Sequence, residues 1–150
     1  MKLIHCADLH LDSKLDANLS PEAARVRRAE ILQTYLDMVE YANDHEIRAI
    51  LIAGDLFDKK NISAPVRTAI RSSMLQNPQI TFYYLQGNHD SDNFLEPGHE
   101  PANLKLFSDE WTYYEQDGVV IAGAAFSAKN HGRLWHSLRL DRSRVNIVML

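Results

Sequence analysis

A chain of 150 residues has the length of one compact domain with a single hydrophobic core. Its residues are 45% hydrophobic and 24% charged, a composition that excludes a disordered chain and a protein built from membrane-spanning apolar runs. The formal net charge of −4 argues against a uniformly basic nucleic-acid coat. The net charge alone does not identify the binding partner, because carboxylates that bind cations no longer repel a phosphate.

The start of the chain and its single cysteine indicate a cytoplasmic protein. The segment Met1-Lys2-Leu3 leads directly into an apolar run, without the basic region, apolar stretch and cleavage site of a secretory signal. Cys6 lies within that run, so we expect a small buried thiol in a reducing compartment. No contact with a membrane is expected.

The first part of the chain alternates strands and helices. In chain order we predict a strand over 2–7, a helix over 20–45, a strand over 49–53, a helix over 63–75 and a strand over 80–85. Ser20-Pro21 supplies an N-cap and a first-turn proline for the long helix. The continuous apolar run at 49–53 indicates a strand buried on both faces. This order favours parallel neighbours joined by right-handed crossovers.

The last third of the chain predicts further strands. Asp117-Gly118 separates two strand-like runs, 111–115 and 119–122, which indicates an antiparallel hairpin. The apolar run at 145–150 predicts another buried strand. We therefore expect an α/β fold with a mixed central sheet and helices outside.

Polar side chains follow the ends of the first three predicted strands. They are Asp8, His10, Asp55, Asp58, Asn88 and His89. Because ligands bind beyond the carboxyl ends of strands in open α/β sheets, these residues are expected at one rim. Gly54 and Gly87 let the backbone turn sharply beside it.

These residue types point to divalent transition metals. Oxygen and imidazole ligands together suit Mn, Fe or Zn better than Ca. Asp55 has two carboxylate oxygens and could bridge two cations about 3.5–4 Å apart, a pair that activates water and stabilises a phosphoryl leaving oxygen. Asn88 offers a neutral oxygen to the second cation. His89 would then be free to protonate the leaving oxygen.

Three motifs carry a family resemblance. Asp-x-His at 8–10, Gly-Asp-x-x-Asp at 54–58 and Gly-Asn-His-Asp at 87–90 resemble, in order and spacing, the first three motifs of the calcineurin-like metallophosphoesterases. The resemblance implies that two divalent ions, Mn or else Fe, Zn or Mg, are held by Asp8, His10, Asp55 and Asn88. It also implies that His89 and Asp58 form a general-acid pair.

Within the family, residues 3–13 and the Phe57-Asp58 pair resemble the DNA repair exonuclease branch, the SbcD-like nucleases. That implies an exonuclease or endonuclease subunit with DNA as substrate and an SMC-like ATPase as partner, and it allows a homodimer. The resemblance is strong over 1–95. A later strand-end histidine and a Gly-His-x-His motif of the family are absent. We therefore expect 1–150 to be the N-terminal portion of a metallophosphoesterase domain whose C-terminal part is missing.

Two other functions remain open from the sequence. The same chemistry fits a phosphomonoesterase or a phosphodiesterase of small nucleotides. An inactive fragment that serves as a binding scaffold is the third alternative, because the chain lacks the later histidines.

Several side chains have a structural alternative to a role in the site. Asp58 could cap a helix, and Asp12 and Asp90 are expected to be turn or supporting groups. His131 and His136 could substitute for the absent histidine ligands. Three arginines in the first turns of the long helix could contact phosphate, although a solvated helix face is the simpler interpretation; they are Arg25, Arg27 and Arg28.

Overall fold

A computed structural model describes residues 1–15, 19–58, 62–87, 90, 100–125, 127 and 134–150. The helices of this part are α1 (Pro21–Asp44), α2 (Ala64–Gln76) and the single turn α3 (Leu134–Ser137). The strands are β1 (Leu3–Cys6), β2 (Ala49–Ala53), β3 (Thr81–Leu85), β4 (Leu104–Leu106), β5 (Thr112–Gln116), β6 (Val119–Gly123) and β7 (Val145–Met149).

The first sheet contains four parallel strands in the order β1-β2-β3-β4. Its first three strands and the helices between them confirm the predicted alternation. Strand β4 was not predicted, because three residues are too few for a periodic signal. Its position depends on a tertiary contact: the Asn103 side-chain amide donates to the backbone oxygens of Met74, Asn77 and Ile80 at 2.8–3.0 Å.

The long helix α1 begins as its sequence predicts. The Ser20 hydroxyl accepts a hydrogen bond from the Ala23 amide at 3.2 Å, and Pro21 occupies the first turn. Tyr35 and Val39 are buried on its inner face. Across the described ranges, no helix combines the length and the apolar composition needed to cross a membrane.

The hairpin at Asp117-Gly118 is confirmed, but its strands belong to a second sheet. Strand β6 pairs antiparallel with β5 and parallel with β7, in the order β5-β6-β7. The α/β class is therefore confirmed, while the mixed pairing that we expected in one central sheet lies in a separate sheet. The physical reason is packing: Ile121 of β6 contributes to an apolar cluster with Leu51 and Tyr83 of the first sheet.

Strand β2 lies between two apolar clusters and contributes side chains to both. Ile50 and Ile52 belong to the apolar cluster that includes α1 and α2, whereas Ala49 and Leu51 belong to the cluster that includes the second sheet. The prediction of a strand buried on both faces is therefore confirmed. β2 ends at Ala53, directly before Gly54 and Asp55.

The prediction that the last strand is buried is wrong for most of β7. Val145 is 65% exposed and Val148 is 37% exposed, and only Met149 of this strand is buried. Among the described strands, β7 pairs only with β6 and therefore lies at an edge of the second sheet, with a strand neighbour on one side alone. Apolar composition alone did not distinguish an edge strand from a central one.

Candidate metal centre

The loops after β1 and β2 run side by side at the carboxyl edge of the first sheet. The amides of Asp8 and His10 donate to the backbone oxygens of Gly54 and Asp55 at 3.3 and 3.0 Å. Leu11 continues the pairing by donating to the Leu56 oxygen at 2.9 Å. These bonds extend the parallel pairing of β1 and β2, and they bring the first two predicted motifs together.

Three candidate ligands have a backbone conformation that is uncommon for residues other than glycine. Asp8, His10 and Asp55 have φ angles of 53°, 46° and 45°, in the left-handed region. Such a conformation costs roughly 1–2 kcal/mol for a residue with a Cβ atom, with Asp among the more tolerant types. Strain of this kind concentrates at functional sites because it aims side chains where regular backbone would not.

The side chains of these three residues converge. One ligand atom from each of Asp8, His10 and Asp55 can be chosen so that all three lie within 4.8 Å of one another. Two carboxylates this close repel each other unless a cation lies between them. The mixed oxygen and imidazole set fits a divalent transition ion.

Gly87 makes the approach of Asp55 to the end of β3 possible. A Cβ atom at Gly87 would lie 2.1 Å from Asp55 Oδ1 and 2.4 Å from the Asp55 amide nitrogen. Both distances are too short for any side chain, and the second involves backbone. Gly54 has a φ of +82° and donates from its amide to the Leu85 oxygen at 2.8 Å. The ends of β2 and β3 thus each have a glycine for a specific reason.

Asp90 ties the loops after β2 and β3 together. Its Oδ1 accepts from the Phe57 amide at 2.7 Å, and its Oδ2 accepts from the Gly87 amide at 2.8 Å. The buried Tyr84 lies beside it. Burial, followed by the negative charge and hydrogen bonding of Asp90, raises the pKa of Tyr84, so the phenol remains protonated. Asp90 therefore supports the loops, as expected.

Two described residues of the loop after β1 contact Asp58. The Ser13 hydroxyl donates to Asp58 Oδ2 at 2.6 Å, and Asp58 Oδ1 lies 3.4 Å from His10 Nδ1. The alternative in which Asp58 caps the second helix is wrong, because the N-cap of α2 is Ser63. Asn88 and His89 lie outside the described residues, so the pairing of His89 with Asp58 remains a prediction.

Sequence reasoning did not find the role of Ser13. Its partner is 45 residues away along the chain, and no spacing or periodicity in the sequence links the two residues. Asp12 has a supporting contact as expected, since its Oδ2 accepts from the Ser63 amide at 2.8 Å.

The remaining candidates lie apart from this cluster or outside the described residues. His136 is exposed on α3, and His131 lies outside the described ranges. Arg25 and Arg27 form ion pairs with acidic residues three positions away on the exposed side of α1, at 3.3 and 2.8 Å. Arg28 differs, because its guanidinium donates to the Lys14 backbone oxygen at 2.7 Å and so anchors the loop after β1.

Cys6 has no reactive environment. Its thiol donates to the Leu51 oxygen at 3.6 Å, and burial raises its pKa to about 11. The thiolate is the reactive form, so a thiol protonated at neutral pH suits a packing role.

The family model of the calcineurin-like phosphoesterases matches residues 1–149. The chain belongs to this family. Its members are metal-dependent hydrolases of phosphate esters, and the Asp8, His10 and Asp55 cluster is a candidate metal-binding group of that kind.

Three curated relatives are similar to this calcineurin-like phosphoesterase. The uncharacterized metallophosphoesterase YhaO of Bacillus subtilis is 32% identical over 137 residues, which cover 85% of this chain and 33% of the relative. The DNA double-strand break repair protein Mre11 of Sulfolobus acidocaldarius is 30% identical, over 72% of this chain and 27% of the relative. The SbcD component of the nuclease SbcCD of Escherichia coli is 33% identical, over 61% and 22%. The chain spans a third or less of their lengths.

Proposed function

We propose that this chain carries metal-binding and catalytic residues of a phosphodiesterase that acts on DNA. The observation that carries the proposal is the convergence of Asp8, His10 and Asp55 within 4.8 Å at the carboxyl edge of a parallel sheet. The names of two relatives, a DNA double-strand break repair protein and a nuclease subunit, support DNA as the substrate.

The proposed site holds two divalent cations, with Mn favoured and Fe, Zn or Mg as alternatives. Asp8 and His10 hold the first, Asp55 bridges the pair, and Asn88 supplies an oxygen to the second. When bound, the ions activate water and neutralise the charge that develops on the phosphoryl oxygens. Asp55 suits the bridging role because Gly87 leaves its carboxylate room against the end of β3.

Proton transfer is assigned to residues that we do not propose as ligands. His89 donates a proton to the leaving oxygen, and Asp58 helps to orient it. Asp58 also lies against Nδ1 of His10 and favours the tautomer that has the imidazole proton on Nδ1. Nε2 of His10 then has a lone pair for a cation.

The wider setting is proposed from the relatives and from local charge. An SMC-like ATPase is the proposed partner in DNA repair, because the Escherichia coli relative is itself named as a subunit of a larger nuclease. The Arg28 guanidinium donates to the backbone oxygen of Lys14 in the loop after β1, and these two cationic residues can contact the DNA backbone there.

The first prediction tests the metal site directly. Mn²⁺ should raise the melting temperature of the protein, because a cation that binds only the native state shifts the unfolding equilibrium. Asp55→Asn should abolish most of that rise, since it removes a carboxylate charge from both proposed ions. The measurement is a thermal melt across a Mn²⁺ titration, and an unchanged response in Asp55→Asn would remove Asp55 from the site.

The substrate is tested in parallel. Bis-p-nitrophenyl phosphate and end-labelled DNA should be hydrolysed with Mn²⁺, whereas p-nitrophenyl phosphate should be hydrolysed slowly. Faster hydrolysis of the monoester would assign the site to a phosphomonoesterase. Mn²⁺ binding without hydrolysis of any of the three would favour a binding scaffold.

A further inference from the structure

We propose that Ser13 is a positioning residue for the metal centre, and that it acts through Asp58 on the imidazole of His10. The inference deepens the proposed function and rests on the proposed role of His10 as a metal ligand. It assigns a task to a hydroxyl that none of the three family motifs includes.

Ser13 holds the His10 segment by two separate contacts. Its amide donates to the His10 backbone oxygen at 3.2 Å, which closes a tight turn after the left-handed His10 residue. Its hydroxyl donates to Asp58 Oδ2 at 2.6 Å, while Asp58 Oδ1 lies 3.4 Å from His10 Nδ1. One residue thus fixes both the backbone of His10 and the carboxylate that faces its ring.

The hydroxyl matters because a carboxylate can rotate. A hydrogen bond to Oδ2 restricts the plane of the Asp58 carboxylate, and Oδ1 is then held toward Nδ1 of His10. An imidazole whose Nδ1–H faces a carboxylate is a better-oriented and more basic ligand at Nε2. Loss of the Ser13 hydroxyl should therefore weaken cation binding without removing any ligand.

A purely structural role predicts a different result. If Ser13 only satisfies a loop carboxylate, its removal lowers the free energy of unfolding and leaves the Mn²⁺ affinity of the folded protein unchanged. If it positions His10, the affinity falls, and Thr at this position restores it because Thr retains the hydroxyl.

The experiment is a calorimetric Mn²⁺ titration of the wild-type chain and of Ser13→Ala, Ser13→Thr and Ser63→Ala. Ser63 is the matched control, because it lies near the same loop and its side chain forms no cap bond. We expect Ser13→Ala to raise the Mn²⁺ Kd about tenfold, the lower end of the range for loss of a group that supports a metal ligand. Ser13→Thr and Ser63→Ala should bind as the wild type does.

A double-mutant cycle tests whether the effect passes through Asp58. Asp58→Asn should also weaken binding, and adding Ser13→Ala to it should cause little further loss, because the two residues act as one unit. In the Co²⁺-loaded protein, the Nδ1–H proton of His10 can be followed by its shifted resonance. This proton should exchange with water faster in Ser13→Ala than in Ser13→Thr.

The outcomes separate the two proposals. A wild-type chain that binds no Mn²⁺ overturns the metal site and this inference with it. A wild-type chain that binds Mn²⁺ while Ser13→Ala binds it equally well overturns only the role of Ser13. Equal losses in Ser13→Ala and Ser13→Thr, or additive losses in the cycle, also overturn it.

Discussion

Asp8, His10 and Asp55 show how much of the candidate site follows from single residues. That they converge was predictable, because each follows a parallel strand and the carboxyl ends of such strands share one edge. Their left-handed φ angles were not, since Asp and His adopt many loop conformations without any sign in the sequence. The contact of Ser13 with Asp58 was equally hidden, because it is set by how two distant loops pack.

Gly87 tests whether its close approach to Asp55 positions the carboxylate. Gly87→Ala places a methyl group where the Asp55 carboxylate and amide now lie, so backbone must move. We expect the free energy of unfolding to fall by about 1–3 kcal/mol, as for other overpacked sites. We also expect most of the Mn²⁺-dependent rise in melting temperature to be lost, because Asp55 is displaced.

Gly118→Ala is the control for this variant. Gly118 has a φ of +76° and open space around its Cβ position. Alanine there should cost about 1 kcal/mol through backbone strain alone. The Mn²⁺ response should remain intact because the hairpin is remote from Asp55 in the fold. A Gly87→Ala protein with the same Mn²⁺ response as Gly118→Ala would show that the close approach does not position Asp55.

Among the elements, those with a periodic or capped sequence were predicted and those defined by tertiary contacts were not. Helix α1 has an N-cap and a first-turn proline in its sequence, and the structure begins the helix there. Strand β4 is held by the Asn103 amide, and β7 is exposed because it lies at an edge. Neither property is present in the local residue pattern, so neither could be predicted from it.

Asp90 joins the loops after β2 and β3, so its replacement should affect both. Asp90→Asn retains one oxygen for the Phe57 and Gly87 amides, and its own amide group would face the other donor. A buried donor left unpaired costs about 1–3 kcal/mol, which should appear as a lower free energy of unfolding in urea. The Mn²⁺ response should weaken too, since the loop that carries Asp55 loses its link to β3.

Asp44→Asn is the matched change on the exposed last residue of α1. It should alter the free energy of unfolding by less than about 0.5 kcal/mol, as is usual at such surface positions. If Asp90→Asn is as mild as Asp44→Asn, the two backbone contacts of Asp90 do not stabilise the loops.

Strand β2 joins two apolar clusters into one folding unit. Ile50 and Leu51 are adjacent in sequence, yet they face different clusters. Truncating either to Ala should cost about 2–5 kcal/mol, because both are almost fully buried and leave cavities. Val145→Ala, at a 65% exposed position of β7, is the control and should cost little.

Two spectroscopic signals report separately on the elements that pack on the two faces of β2. Its two tryptophans, Trp111 and Trp135, lie beside β5 and in α3, so tryptophan fluorescence follows the second sheet. Far-UV circular dichroism is dominated by α1 and α2, on the other face of β2. Because β2 supplies both clusters, the two signals should change at the same urea concentration in the wild type, in Ile50→Ala and in Leu51→Ala. A fluorescence transition that precedes the loss of helix would instead make the second sheet a separate unit, and a cavity at Leu51 would then lower only the fluorescence midpoint.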